Sequence, residues 1–168
     1  MMNLQFYSEK LHSSEMFKKF KEENKESYLC SIFFTIDKEK DDNQIHFDFF
    51  IPESKKMTSF QLNGEIKQVP MEIYDEKIPE RIPLNFDIDF WEIERMIATR
   101  MEVDNIKSKM QKIILSLQRV NEENFLVGTV FISMLGMIKV KINAAKKNIV
   151  EFEKKSMFDI MKVVKSGK

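Results

Sequence analysis

Residues 24–36, NKESYLCSIFFTI, and residues 121–133, NEENFLVGTVFIS, decide the fold of this chain of 168 residues. Aromatic and β-branched side chains dominate the later part of each stretch, which predicts a strand in both. We interpret residues 24–60 and 121–152 as two copies of one unit, a helix leading into an antiparallel β-meander. When the two stretches are aligned without gaps, the identical pairs are Asn24 with Asn121, Glu26 with Glu123, Leu29 with Leu126, and Phe34 with Phe131.

Period-two alternation extends both copies beyond the first strand. In residues 44–51, QIHFDFFI, every second residue from Ile45 is apolar, and in residues 137–143, MIKVKIN, apolar residues alternate with lysines. This alternation predicts strands with one buried face. Further strands are predicted over residues 57–62 and 148–153, with a short edge strand over residues 69–74.

Helical spacing appears at two places before the strands. Residues 14–26 predict a short helix with Ser13 or Ser14 as its N-cap. Residues 89–120 predict a longer helix, capped by Asp87 or Asp89. Its apolar stripe changes phase between Met101 and Ile106, so the helix is either buried on two faces or broken near Asp104–Asn105, and we favour a break. A short terminal helix is predicted after Ser156.

The predicted fold class is α+β, with two helix-plus-antiparallel β-meander units whose helices pack on the sheets. The first unit spans residues 1–62 and the second spans residues 89–168 with its C-terminal helix. Residues 63–88 form an irregular linker that holds Gly64 and three of the four prolines. The two small sheets are either packed together or joined into one longer sheet.

The second copy, a helix followed by FLVGTVFISMLGMIKVKINAAKKNIVEFEKKS, resembles the PepSY-like domains of the cystatin-like folds. Those domains carry a segment of the form I-D-x-x-T-G-E-V at the second hairpin, where this chain has residues 142–150 without the turn threonine and glycine. The resemblance covers residues 105–155 directly and residues 14–62 through the repeat. It implies a binding or inhibitory module without catalytic residues.

Composition argues against several functional classes. The 27 basic and 27 acidic residues cancel, and a nucleic-acid binder needs surplus positive charge to neutralise phosphates. The four glycines form no phosphate-binding motif, and the single cysteine permits no intrachain disulfide. The N-terminus lacks the features of a signal peptide, and no apolar stretch reaches the about 20 residues of a membrane span. We therefore expect a cytoplasmic protein with no nucleic-acid partner.

No catalytic, cofactor-binding or metal site is predicted. His46 and Asp48 fall on the polar face of one strand, where we expect a surface pair, and His12 supplies no third ligand. Cys30 lies in an apolar strand, which predicts a small buried side chain rather than a nucleophile. The lysine-rich segment 154–168 either packs its apolar side on the sheet, as we favour, or lies on an anionic membrane.

Trp91 is a candidate partner-contact residue, because aromatic side chains dominate the energetic centres of interfaces. Its neighbour Phe90 and Tyr74 of the irregular segment join it as candidates, and core packing of Trp91 is the favoured alternative. The leading hypothesis is a noncatalytic binding module for a protein or peptide, with an inhibitor-like module as one form of it. The alternatives are an enzyme or small-molecule binder with a helix–sheet pocket, and a structural homodimer or larger homo-oligomer.

Overall fold

The computed structural model describes residues 3–72, 77–85 and 87–156. Within these residues, eight antiparallel strands form one sheet in the order β4-β3-β2-β1-β5-β6-β7-β8. The helices are α1 (Leu4–His12), α2 (Glu15–Glu23) and α3 (Phe90–Val103). The strands are β1 (Tyr28–Asp37), β2 (Ile45–Ile51), β3 (Lys56–Gln61), β4 (Lys67–Met71), β5 (Met110–Val120), β6 (Glu123–Ile132), β7 (Gly136–Asn143) and β8 (Asn148–Ser156).

The predicted α+β class is confirmed, and the two meanders form one longer sheet. Helix α2 leads into the meander β1–β4, and α3 leads into the meander β5–β8. The meanders meet where β1 pairs with β5, from Ser31 opposite Gln118 to Asp37 opposite Lys112. Hydrogen bonding therefore runs without interruption across both halves of the chain. The predicted boundaries at residues 62 and 89 remain predictions.

Of the two N-terminal helices, α2 was predicted from the sequence and α1 was not. Ser14 caps α2 as predicted, because its side chain accepts a hydrogen bond from the backbone N–H of Phe17. Helix α1 was not predicted. It buries Leu4, Ser8 and Leu11, and the serine in the middle of that stripe hides the helical spacing from an apolar pattern.

The predicted helix over residues 89–120 is wrong in its second half. Asp89 caps α3 as predicted, and the helix ends at Val103, before Asn105 adopts a left-handed φ of 57°. The break at Asp104–Asn105 is therefore confirmed. Residues 110–120, however, form strand β5, which pairs with β1 on one side and β6 on the other.

The repeat needs a corresponding correction. Residues 121–133 lie in the β5–β6 turn and in β6, so the element before them is strand β5 and not a helix. The alignment of residues 24–36 with residues 121–133 thus makes β6 the sequence counterpart of β1, although the two strands have different neighbours along the chain. The duplication itself remains a prediction.

The helices cover one face of the sheet. The rings of Phe17 and Phe20 on α2 contact Phe49 on β2 and Phe60 on β3, with centroids 5.1–5.9 Å apart. At the other end of the sheet, the guanidinium of Arg100 on α3 lies 5.2 Å from the ring centroid of Phe152 on β8. Buried apolar side chains from all the helices and the central strands fill the layer between.

Residues 77–85 of the predicted linker are held against the sheet. The side chain of Ile82 is buried, and its backbone N–H donates a 2.9 Å hydrogen bond to the carbonyl of Leu29. The Tyr28 hydroxyl donates to the carbonyl of Pro79 at 2.7 Å. A strand is present in the preceding part of the linker, where the predicted edge strand over residues 69–74 overlaps β4. The terminal helix predicted after Ser156 falls outside the described residues, and Ser156 itself ends β8.

Candidate functional site

A groove of about 270 Å³ lies where α1, the start of α3 and the β1–β2 hairpin meet. We name it the α1–α3 groove. Its walls combine polar and apolar surface in comparable amounts. Its lining residues are Tyr7, Thr35, Ile36, Asn43, Ile45, Phe90, Trp91 and Glu94. Two of the predicted partner-contact residues, Phe90 and Trp91, therefore lie in one site.

Helix geometry gives Phe90 and Trp91 different environments. Phe90 points toward the sheet, with its ring centroid 4.8 Å from that of Phe34 and 6.3 Å from that of Tyr7. The next residue lies about 100° further around a helix, and Trp91 accordingly points outward with 58% of its surface exposed. The favoured expectation that Trp91 packs in the core is wrong.

The first turn of α3 is held in place by its cap. The carboxylate of Asp89 accepts a 2.8 Å hydrogen bond from the backbone N–H of Trp91. Asn3, in turn, forms an isolated bridge with Asp89, and the backbone N–H of Leu4 donates to the carbonyl of Ile88 at 3.2 Å. The starts of α1 and α3 are thus joined, which fixes the two helical walls of the groove relative to each other.

The hairpin wall of the groove is also preorganised. Asn43 Oδ1 accepts from the backbone N–H of Asp37 at 2.9 Å, and Thr35 Oγ1 accepts from that of Gln44 at 2.9 Å. Glu94 forms an ion pair with Lys38 across the rim. These contacts hold the hairpin and the rim in place, so the groove offers an incoming group both apolar contact and positioned polar groups.

Tyr7 is the residue of this site that sequence reasoning missed, because it lies on the unpredicted helix α1. Burial raises the pKa of its hydroxyl above the ordinary value, so Tyr7 is neutral at physiological pH. Its ring lies edge-on to the half-exposed Phe6, at 5.2 Å between centroids. The aromatic lining therefore continues along α1. Tyr74, the third predicted contact residue, lies outside the described residues.

The space between α3 and the sheet is much smaller than the groove. A cavity of about 20 Å³ is lined there by residues such as Ile93, Met96, Leu126 and Ile142. That volume holds about one water molecule. Lys147 closes its edge by ion pairs with Asp87 and Glu92, at 3.1 and 3.2 Å.

His46 and Asp48 do not form the expected surface pair. Both lie on the face of the sheet opposite α1, α2 and α3, but Asp48 is only 6% exposed and His46 is half-buried. Asp48 stands between Ser31 of β1 and Ser59 of β3 in register. Ser31 Oγ donates a 2.6 Å hydrogen bond to Asp48 Oδ2. In the part of the chain that the structure describes, Asp48 Oδ1 and Ser59 Oγ have no hydrogen-bond partner.

Burial is the largest influence on the pKa values of Asp48 and His46. It raises the pKa of Asp48, and the neighbouring hydroxyls of Ser31 and Ser59 and the charge of His46 oppose that shift. Burial lowers the pKa of His46, so the imidazole is less easily protonated than a free histidine. Among the described residues no third ligand lies beside His46 and Asp48. His12 lies on α1, where its Nδ1 is 2.7 Å from the carbonyl oxygen of Ser8.

Cys30 is buried beside this row, as predicted, and carries a free thiol. Its Sγ donates to the backbone carbonyl of Asp48 at 3.4 Å. Burial raises the pKa of the Cys30 thiol to about 12, with a further contribution from Asp48. Nucleophilic chemistry needs the thiolate, so this environment disfavours such a role.

Residues 3–72, 77–85 and 87–156 contain no group of three or more His, Cys, Asp or Glu side chains placed to hold a metal ion. No helix in these ranges has the length and apolar character needed to cross a bilayer.

Comparisons with known proteins define the fold but not a family. No protein-family model matches the chain, and no curated protein matches it. Among solved structures, the fold is similar to that of a "putative lipoprotein" from Clostridium difficile 630, with a TM-score of 0.53. The two chains are 11% identical, and the similarity covers 84% of this chain and 91% of the other. At that identity the likeness concerns architecture and carries no activity across.

Proposed function

We propose that this protein is a noncatalytic binding module that docks a protein or peptide segment in the α1–α3 groove. The observation that carries the proposal is the exposed Trp91 beside a groove whose helical and hairpin walls are held in place by hydrogen bonds. A large aromatic side chain loses little conformational entropy on binding and removes a large apolar area from water. Trp91 is therefore the residue from which we expect most of the binding energy.

The size and chemistry of the groove suggest its ligand. About 270 Å³ accommodates one or two side chains rather than a folded surface. Phe90, Ile36 and Ile45 offer apolar contact, while Thr35 and Asn43 are already hydrogen-bonded within the hairpin. We expect an extended or helical segment that inserts an aromatic or aliphatic anchor against Phe90 and covers it with Trp91.

The alternative of a pocket between helix and sheet receives less support. The cavity under α3 has room for about one water molecule, too little for a substrate. The alternative of a homo-oligomer would use the sheet edges. Edge strand β4 carries Pro70, and edge strand β8 carries four consecutive charged or polar residues, 153–156, which are features that discourage strand pairing between copies.

We further propose that the two halves arose by duplication of a unit related to the PepSY-like domains. The support is that each half consists of a helix followed by a four-stranded antiparallel meander, arranged symmetrically about the β1–β5 pair. This arrangement makes β1 the counterpart of β5. Aligned relatives should then show residues 28–37 more similar to residues 110–120 than to residues 123–132, and the reverse result would contradict this version of the duplication.

Trp91 provides both the variant and the probe for testing the binding site. We would select a displayed library of random peptides on the wild-type protein and measure the selected peptides by titration. Because Trp91 is the only tryptophan, its emission reports directly on the groove, and burial under a peptide should shift that emission to shorter wavelength. The Trp91→Ala variant, followed by calorimetry, should bind the same peptides at least about tenfold more weakly.

The matched control is Val103→Ala, which removes an exposed apolar side chain from the far end of the same helix. It should leave both the affinity and the emission shift unchanged. Selection of no peptide above background would count against the proposal. Equal binding by the Trp91→Ala variant would show that peptides dock somewhere other than the groove.

A further inference from the structure

The tip of the β6–β7 hairpin displays two bulky apolar side chains to solvent. Met134 is 88% exposed and Leu135 is 60% exposed, between the paired residues Ile132 and Gly136. Both have left-handed backbone conformations, with φ of 66° and 55°. Glycine and asparagine are the residues that normally occupy such positions, because a side chain at a left-handed residue crowds the following carbonyl.

The β5–β6 turn has the same backbone conformation but different residue types. The β5–β6 turn also has two consecutive left-handed residues, with φ of 50° at Asn121 and 66° at Glu122. Asparagine and a charged residue suit a solvated turn. The β6–β7 turn instead keeps Met134 and Leu135, most of whose surface is exposed. Their exposure points to contact with something outside the folded chain.

Lysines flank the apolar tip on both sides. On one side, the backbone N–H of Lys109 donates to Ser133 Oγ at 2.8 Å, and the N–H of Ser133 donates to the carbonyl of Lys109 at 2.8 Å. On the other side, Lys155 of β8 pairs with Met137 at the start of β7. Lys107 and Lys154 are the adjacent exposed lysines. Across the described residues, these four lysines take part in no ion pair.

We propose that the β6–β7 tip inserts into the interfacial region of an anionic lipid membrane, with Met134 and Leu135 in the acyl boundary and the flanking lysines on the headgroups. A narrow apolar projection ringed by unpaired cations matches such a surface in both shape and charge. A protein partner would require a much broader complementary patch, of about 800 Å² on each side. The proposal concerns attachment to one leaflet and is independent of the α1–α3 groove.

The same end of the molecule contributes a further apolar group. Val103 ends α3 with 74% of its surface exposed, and the short connection from there leads through Lys107 to Lys109. Glu102 and Asp104 also lie at this end, and Asp104 is paired with Arg100 at 3.3 Å. Among the residues that the structure describes, no carboxylate forms an ion pair with the lysines beside the tip, so their charge is available to the headgroups.

Flotation with lipid vesicles tests the proposal on the full chain. Wild-type protein should bind vesicles containing about one-third anionic phosphatidylglycerol, and bind far less to vesicles of phosphatidylcholine alone. The decisive variant is Met134→Asn/Leu135→Gly, because Asn-Gly suits two left-handed residues and should leave the fold equally or more stable. Loss of binding, expected at about tenfold or more, could then not be ascribed to unfolding.

The lysines are tested by Lys154→Gln/Lys155→Gln, which should weaken binding by about tenfold at low salt and less at high salt. The matched control is Lys146→Gln, in the β7–β8 turn at the opposite end of the sheet. It should bind as the wild type does. Absence of wild-type binding to anionic vesicles would overturn the proposal. Undiminished binding by Met134→Asn/Leu135→Gly would overturn it as well.

Discussion

The Oε2 atom of Glu80 accepts a 2.8 Å hydrogen bond from the backbone N–H of Asn121, and its Oε1 accepts one of 3.1 Å from Glu122. One carboxylate thus holds both residues of the tight β5–β6 turn. Both have left-handed backbone conformations and direct their N–H groups the same way. This contact fastens the segment between the two halves of the chain to the second meander.

Glu80→Ala should destabilise the protein by about 1 kcal/mol, because two charge-assisted hydrogen bonds at an exposed site are lost. Urea unfolding measures the change. Glu65→Ala, in the exposed β3–β4 turn, is the control and should change the unfolding free energy by much less. Equal losses in the two variants would show that the Glu80 contact contributes little.

Asp48→Asn should stabilise the protein at neutral pH by about 1 kcal/mol or more. An asparagine keeps an acceptor for Ser31, brings an N–H group toward the unpaired Ser59, and removes a buried charge. Because burial raises the folded-state pKa of Asp48, wild-type stability falls as pH rises from the unfolded-state pKa through the folded-state pKa.

The gain from Asp48→Asn should therefore be largest above the folded-state pKa and disappear near about pH 3, below the unfolded-state pKa, where the carboxyl is neutral in both states. Thermal melts across this range provide the measurement. The control is Asp42→Asn in the exposed β1–β2 turn, which should show no such trend. A stability gain from Asp48→Asn that did not change with pH would contradict the assignment of the effect to buried charge.

Gly128→Ala should destabilise the protein by about 3 kcal/mol, or prevent folding, because its new Cβ would meet backbone atoms that cannot move aside. That Cβ would lie 1.9 Å from the carbonyl oxygen of Ile114. Gly64→Ala is the informative comparison. A Cβ at Gly64 would meet open space, but the residue has a φ of 87°, so backbone strain alone should lower the free energy of unfolding by about 1 kcal/mol. Melting temperatures in the reverse order would contradict this account.

Cys30 should react with a thiol reagent only when the protein unfolds. The thiolate is the reactive form, and burial raises the pKa of this thiol to about 12. In mildly alkaline buffer, Ellman's reagent should label the denatured chain fully and the native chain very slowly. Rapid stoichiometric labelling of the native protein would show that Cys30 is accessible.

Local patterns predicted the elements whose environment is set by neighbouring residues in the chain. The alternation from Ile45 to Ile51 reveals β2 because one face of that strand meets the core and the other does not. Ser14 and Asp89 were recognisable as caps because capping involves side chains and backbone N–H groups within one turn. The sequence allowed Trp91 to be chosen as a candidate contact residue, but it did not predict that the side chain is exposed.

The predictions were wrong where contacts between residues far apart in the sequence determine the secondary structure or the burial. Ile113, Ile114 and Leu117 have spacings that fit both a helix and a strand. Hydrogen bonding to β1 on one side and β6 on the other makes residues 110–120 a strand, and the β1 partners lie far away in sequence. The polar appearance of Asp48 likewise predicts exposure, yet its side chain is buried between Ser31 of β1 and Ser59 of β3.

The sequence by itself determined the α+β class, most of the strand positions and the two recognised helix starts, because these depend on periodicity and capping over a few residues. Only the tertiary structure decided that the meanders form one sheet, that Phe90 and Trp91 line a groove with Tyr7, and that Met134 and Leu135 project beside four lysines. Those features depend on which strands pair and which faces pack, and these choices are settled by hydrogen bonding and burial summed over the whole chain.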